Sequence, residues 1–205
     1  MMDNTKEAWY QYIFRDFEAT LLPWSTPQCV GIDWKNRNGS KEHAVRFVID
    51  AEAGNLIVSG DYWSCIARWD TELTPAKVYT FFNDIGYFVG KIKCSTDLWD
   101  FPDDAVMEDL NELANNSMLH PEEKDKLITH LKYWFENHEF TMESVYPDYI
   151  LNELTELCPD WRYRVPKLGK RVSERINIWR RAYRKAYEEL SKRREFVDIL
   201  GVDKN

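Results

Sequence analysis

The sequence predicts an α+β fold: a small antiparallel meander of three to four strands packed by helices, with a long C-terminal helix. Three observations predict it. Residues 43–69 hold the long β-type pattern, with Val45, Phe47 and Ile49 alternating on one apolar face. Most of the remaining chain shows apolar residues at helical spacing behind capping signals. Near the end, Val172, Ile176, Trp179, Tyr183, Ala186, Leu190 and Val197 form one stripe, which as a helix over 172–199 would be about 40 Å long.

In chain order, residues 5–20 read as a helix, with Thr5 as cap and Trp9, Ile13, Phe14 and Phe17 on one face. Leu22-Pro23-Trp24 ends it. Residues 27–34 are short and β-like, and Asn36-Arg37-Asn38-Gly39-Ser40 is a turn, because Asn-Gly accepts the left-handed backbone of hairpins. The strand at 45–49 turns at Asp50-Ala51-Glu52-Ala53-Gly54. Leu56–Val58 returns, and 65–69 follows Ser59-Gly60-Asp61. Thr74-Pro75 opens a helix to about Asn83, with Thr as cap and Pro at the first helical position. After Gly86, residues 87–94 fit either helix or strand, with helix preferred, and 95–101 read as a loop. Pro102-Asp103-Asp104 opens a helix to about 117, with acids where the helix dipole favours them. Pro121-Glu122-Glu123 opens another to about 137, striped by Leu127, Leu131, Trp134 and Phe135. Residues 141–157 are helical in pattern, but Pro147 implies a turn followed by a helix from that point. Cys158-Pro159-Asp160 marks a boundary. The expected organisation is an acidic α+β domain over 1–161, then a basic linker and C-terminal helix over 162–205 packed on the same domain.

Charge follows that division. The chain has a net charge of −8. Residues 1–161 hold 13 Lys and Arg against 29 Asp and Glu, whereas 162–194 hold 13 against 3. Nine Trp, eleven Tyr and ten Phe supply a core with aromatics to spare. Cys29, Cys65, Cys94 and Cys158 form no C-x-x-C pair, so neither a zinc knuckle nor a redox dithiol is indicated. The start has no basic-then-apolar leader, and no apolar run approaches about 18 residues. The expectation is a cytoplasmic protein with reduced thiols; the sequons at Asn38 and Asn115 are then chance matches.

The basic segment is the foremost candidate site. Arg162, Arg164, Lys170, Arg171, Arg175, Arg180, Arg181 and Arg184 are interleaved with Trp179 and Tyr183. Guanidinium groups fork onto phosphates and aromatic rings stack on bases, so these ten residues are the expected ligand-binding set. The competing reading has this helix docked on its own acidic body. The acidic remainder disfavours long duplex DNA, since it repels a polyanion within about 8 Å at physiological salt. A small phosphorylated ligand or a protein partner fits better, and a homo-oligomer built with the last helix is one way to complete such a site.

Other constellations are weaker. His130 and His138 share a helix face but stand about 12 Å apart, too far for one metal, and His43 and His120 have no ligand-spaced partner. The acids of 97–104, with Glu108 and Asp109, lack the central Gly of a calcium loop and read as helix N-terminal charge or as a protein-binding surface. Asp61 with Asp33, Asp50 or Asp70 would make a carboxylate pair if they met. No P-loop, Rossmann fingerprint or G-x-S-x-G is present. No cofactor and no catalytic residue is expected.

Four runs form a further pattern: Phe47-Val48-Ile49-Asp50; Leu56-Ile57-Val58-Ser59-Gly60-Asp61; Ile66-Ala67-Arg68-Trp69; and Tyr87-Phe88-Val89-Gly90-Lys91-Ile92-Lys93. Together, over about a quarter of the chain (45–94), they resemble a loose family of small proteins found in bacteriophages and prophages. Tyr62-Trp63 departs from that pattern, which has a smaller residue after the Gly-Asp step. The resemblance implies a phage origin and action in the bacterial host cytoplasm against host defence. It carries no catalytic residue across. The expected function is therefore a binding protein that sequesters a cyclic or otherwise phosphorylated nucleotide; the alternatives are an acidic inhibitor occupying the basic groove of a host nuclease such as a CRISPR effector, and a metal-dependent hydrolase using the paired aspartates.

Overall fold

The computed structural model describes residues 4–95, 98–138, 145–193 and 197–200. The chain divides into two compact units: Met1–Leu98 with Glu174–Asn205, and Trp99–Ser173. The boundary expected at 161 is therefore not the observed one. The basic segment is cut in two, with 162–173 in the second unit and the C-terminal helix in the first.

The first unit is built on a six-stranded sheet in which every strand pairs with its neighbours in sequence. The strands are β1 (Phe17–Leu21), β2 (Cys29–Asn36), β3 (Val45–Asp50), β4 (Asn55–Gly60), β5 (Cys65–Arg68) and β6 (Ile92–Ser95), all antiparallel. The α+β class is as expected, but the sheet is larger than three to four strands. Its two additional members come from stretches read as helical. Helix α1 (Asn4–Ile13) stops early, and β1 follows from Phe17, with Phe17 and Ala19 buried in alternation with Glu18 and Thr20. Residues 87–94 are half of each kind: α3 (Ile85–Lys91), capped by the Asp84 carboxylate accepting from Tyr87 N at 2.9 Å, runs straight into β6.

One face of the sheet is the core. Val30, Ile32, Trp34, Val45, Phe47, Ile49, Leu56, Val58, Cys65 and Ala67 are all buried there. Helix α8 (Glu174–Leu190) lies on it, with contacts to β1, β2 and β3. Helix α2 (Pro75–Phe81) opens as expected, the Thr74 hydroxyl accepting from Lys77 N at 3.3 Å. Antiparallel sheets with helices on one face leave the other face to solvent. Turn chemistry closes the hairpins: Gly54 (φ +66) replaces a side chain whose Cβ would lie 2.3 Å from Trp69 O.

The helical C-terminus is shorter than the stripe implied. α8 spans 17 residues, about 26 Å. Val172 belongs to a strand of the other unit, and Val197 to the short α9 (Val197–Leu200).

The second unit is mostly helical: α4 (Asp103–Asn115), α5 (Pro121–Glu136), α6 (Asp148–Leu157) and α7 (Trp161–Arg164), with β7 (Trp99–Asp100) paired antiparallel to β8 (Arg171–Val172). α6 starts after Pro147, as the proline requires. Leu110, Leu113, Leu131, Ile150, Leu154 and Trp161 pack into its core. No described helix in either unit is long and apolar enough to cross a membrane.

Candidate functional site

The ten residues expected to bind a ligand are split between the units: Arg162, Arg164, Lys170 and Arg171 in the helical unit, Arg175, Trp179, Arg180, Arg181, Tyr183 and Arg184 in the sheet unit. Trp179 and Tyr183 correct the expectation most directly. They are 2% and 0% exposed, and the Tyr183 ring packs on Phe47 at 5.0 Å and Phe82 at 5.3 Å. The Tyr183 hydroxyl donates to Pro75 O at 2.9 Å. These rings hold α8 on the sheet and have no face left for a base. The stripe from Ile176 to Leu190 lies on α8, and its occupant is the protein's own core.

Most of the cations are also engaged internally. Arg171 donates to Asp109 at 2.7 and 3.1 Å and to Glu108 at 3.2 Å. Arg164 donates to Asp160 at 3.0 Å, and Arg181 pairs with Glu7 at 2.6 Å. Arg184 donates to Asn83 at 3.0 Å and covers the Tyr79 ring. Lys170 sits 3.7 Å from the Trp99 ring centroid, Arg162 5.1 Å from Trp161 and Arg175 4.7 Å from Trp63. Among the described residues, Arg180 is the member of the set with neither a carboxylate nor a ring partner. Burial first, then Arg184 and Arg181, lower its pKa from the usual guanidinium value.

The split of the chain rearranges its charge. The helical unit 99–173 holds 16 acidic and 8 basic residues, and the sheet unit holds 19 of each. The whole net charge of −8 thus belongs to the helical unit. Apart from the buried Asp109, the described carboxylates of its helices lie on the outer sides because the inner stripes are apolar. Asp104, Glu108 and Glu112 recur every four residues on α4, all exposed, about 6 Å apart. Glu122, Glu123 and Asp125 open α5, and Glu136, Asp148 and Glu156 follow. Among the described residues, Asp104, Glu112, Glu122, Glu123, Asp125, Glu136, Asp148 and Glu156 have no cation partner, in contrast to Asp109 and Asp160. The acids of 97–104 are only one corner of this surface, and Asp97 lies outside the described residues. The signal that would have found the rest is the charge of 99–173 counted by itself, which needs the fold to set the limits.

The four aspartates proposed for acid/base work do not all gather in one place. Asp33, 7% exposed, accepts from Arg46 Nε at 2.6 Å and Nη2 at 2.9 Å. Asp50 is four residues from Arg46 on β3, about 13 Å away, and caps Ala53 N at 3.0 Å. Asp61 accepts from His43 N at 2.9 Å, and Asp70 is exposed beyond β5. Among the described residues no three His, Cys, Asp or Glu side chains gather as a metal would need. His130 faces Glu153 at 2.8 Å, and His138 Nδ1 contacts Trp134 O at 2.7 Å.

Asp33 and Asp61 do share a cavity of about 580 Å³, which Lys35, Lys41, Arg46 and Ser59 also line. Beside it, His43 (φ 60) and Trp63 (φ 72) adopt left-handed backbone, unusual for side chains of this bulk. The Tyr62 hydroxyl contacts His43 Nδ1 and the two rings stack. Burial, then Asp61 and Glu42, push the Tyr62 pKa up to about 12, so its phenol is no nucleophile near neutral pH. Burial likewise raises Cys65 and Tyr146 to about 12. These neutral groups keep protons in the fold that the unfolded chain loses from about pH 9 upward, so stability falls as pH rises from about 9 to 12. Urea midpoints should be level from pH 7 to 8.5 and decline steadily above; a midpoint unchanged at pH 11 would contradict this burial.

Compared with known proteins, the chain matches no family model, no curated protein and no solved structure.

Proposed function

We propose that the chain is a phage-type accessory binding protein that antagonises bacterial defence in the host cytoplasm by laying its acidic helical unit into the basic groove of a nucleic-acid-cleaving effector. The observation that carries this reading is the set of exposed, unpaired carboxylates on α4, α5 and α6 in a unit that holds the entire net charge. Surface acids gain little from one another; they repel at close spacing and are relieved by an opposite surface. A groove evolved for phosphates presents such a surface. The phage setting rests on the resemblance of 45–94.

Sequestration of a nucleotide is the second reading. It loses the stacking partners Trp179 and Tyr183 and most of its guanidinium groups to internal contacts, which is why the inhibitor is preferred. The hydrolase reading would need the aspartates to meet.

Co-purification of tagged protein from cells carrying a CRISPR nuclease tests the proposal. The complex should weaken steeply between about 50 and 200 mM salt, as displaced polyanion contacts do. Neutralising three carboxylates together (Asp104→Asn, Glu112→Gln, Glu122→Gln) should weaken it at least about tenfold, or 1.4 kcal/mol, with unchanged folding. Binding indifferent to both salt and these substitutions would remove the reading, as would capture of no nuclease.

A further inference from the structure

The face of the sheet opposite its core carries an apolar row that crosses the strands in register. Gly31 pairs with Val48, Val48 with Ile57, Ile57 with Ile66, and Ile66 with Cys94. Trp24 occupies the place that Gly31 leaves open: a Cβ there would lie 2.4 Å from Cη2 of Trp24. The row Trp24, Val48, Ile57, Ile66, Cys94 thus runs from β2 to β6, about 19 Å. Trp24, Ile57 and Ile66 are 50%, 39% and 41% exposed, and Cys94 is exposed. Period-two strands of a one-sided sheet place polar residues here; a continuous apolar row marks a contact surface.

The residues on either side of the row decide what the contact is. On β3, Arg46 and Asp50 stand two residues before and two after Val48. On β4, Ser59 and Asn55 stand likewise about Ile57. A twofold axis along the row turns each flank onto the other. It lays Arg46 of one copy against Asp50 of a second, and Asp50 against Arg46, while Val48, Ile57, Ile66 and Cys94 each meet their own counterparts. Arg46 uses Nε and Nη2 on Asp33, so Nη1 is left, and Asp50 uses Oδ1 on Ala53 N, so Oδ2 is left. Such self-complementarity is what an isologous interface requires, and two antiparallel sheets stack face to face about 10 Å apart at a small angle.

We infer that the outer face of the sheet is a homodimer interface, with a second copy of this chain as its occupant. The inference rests on the sheet unit alone and is independent of the partner proposed for the helical unit. If both hold, one dimer presents two acidic units.

Sedimentation equilibrium of the full chain tests it. The expected mass is twice the 24.5 kDa of one chain. Ile57→Lys with Ile66→Lys, both on the exposed face, should yield a monomer with an unchanged circular dichroism spectrum. Asp50→Arg should weaken the dimer and Arg46→Asp combined with Asp50→Arg should restore it. A short bis-maleimide should join two copies through Cys94, and Cys94→Ser should abolish the product. A monomer at every concentration overturns the inference. So does a dimer that survives the lysine pair, or one in which Cys94 does not cross-link, since either places the contact elsewhere.

Discussion

Replacing Trp179 by Ala is expected to lower the unfolding free energy by about 3–5 kcal/mol, the usual cost of truncating a large buried aromatic. The side chain is 2% exposed in α8, one turn from Tyr183, which packs on Phe47. Its removal opens a void between helix and sheet that a 17-residue helix with β1, β2 and β3 beneath it cannot readily close. The same substitution separates two roles for the residue. A ring waiting for a nucleotide would sit at the surface, and its loss would leave stability within about 0.5 kcal/mol. Urea unfolding followed by far-ultraviolet circular dichroism decides between them. A midpoint equal to that of the parent chain would return Trp179 to the ligand set.

The second large effect is expected at Asp109. Its carboxylate, in a residue 5% exposed, accepts from Gly169 N at 2.7 Å and from Arg171 at 2.7 and 3.1 Å. Arg171 also donates to Ala105 O at 3.1 Å, so α4 and the stretch leading to β8 are held by one network. Gly169 sits at φ +71, where a Cβ would meet Val106 Cγ2 at 2.5 Å, which binds the backbone closely against α4. Asp109→Ala leaves a buried amide and a guanidinium without their acceptor and should cost about 3 kcal/mol, at the lower end for a broken buried pair because Arg171 keeps some solvent. Asp109→Asn retains an acceptor oxygen and should cost less. Hydrogen exchange at 165–173 should quicken in the alanine variant. Parent-like exchange there would mean the network does not secure this stretch.

The two substitutions bear on one question: what the positive segment is for. Arg171 anchors a loop, and the helix bearing Arg175–Arg184 uses its apolar stripe as core and several cations as surface pairs. Neutralised cations contribute little to capture of an anion. The net charge is negative and falls to 99–173, and the proposed partner follows from that sign.

Much of the architecture was legible in local patterns. Alternation at Val45, Phe47 and Ile49 placed β3 and its core face, Thr74-Pro75 placed the start of α2, and Pro147 placed the start of α6. These signals work because sterics and capping bonds act over a few residues. Phe17–Leu21 departs from the helical expectation because Phe17 continues the helical spacing of Ile13 and Phe14, whereas pairing with β2 outweighs a marginal turn of helix. Ile92–Ser95 was ambiguous because a four-residue strand has too little periodicity to declare itself. The outer row of Val48, Ile57 and Ile66 consists of apolar residues in the off-phase of each strand, and its continuity depends on register.

By itself, then, the sequence determined the class of fold, the strand that starts the core, the cap of α2, and the segregation of apolar from charged residues. Only the tertiary structure decided which charges meet. Asp109 and Arg171 are 62 residues apart, and Phe47 and Tyr183 are brought together from opposite ends of the chain. Charge can be counted along a chain, but its neutralisation is a short-range event in space, set by burial and by partners that folding selects.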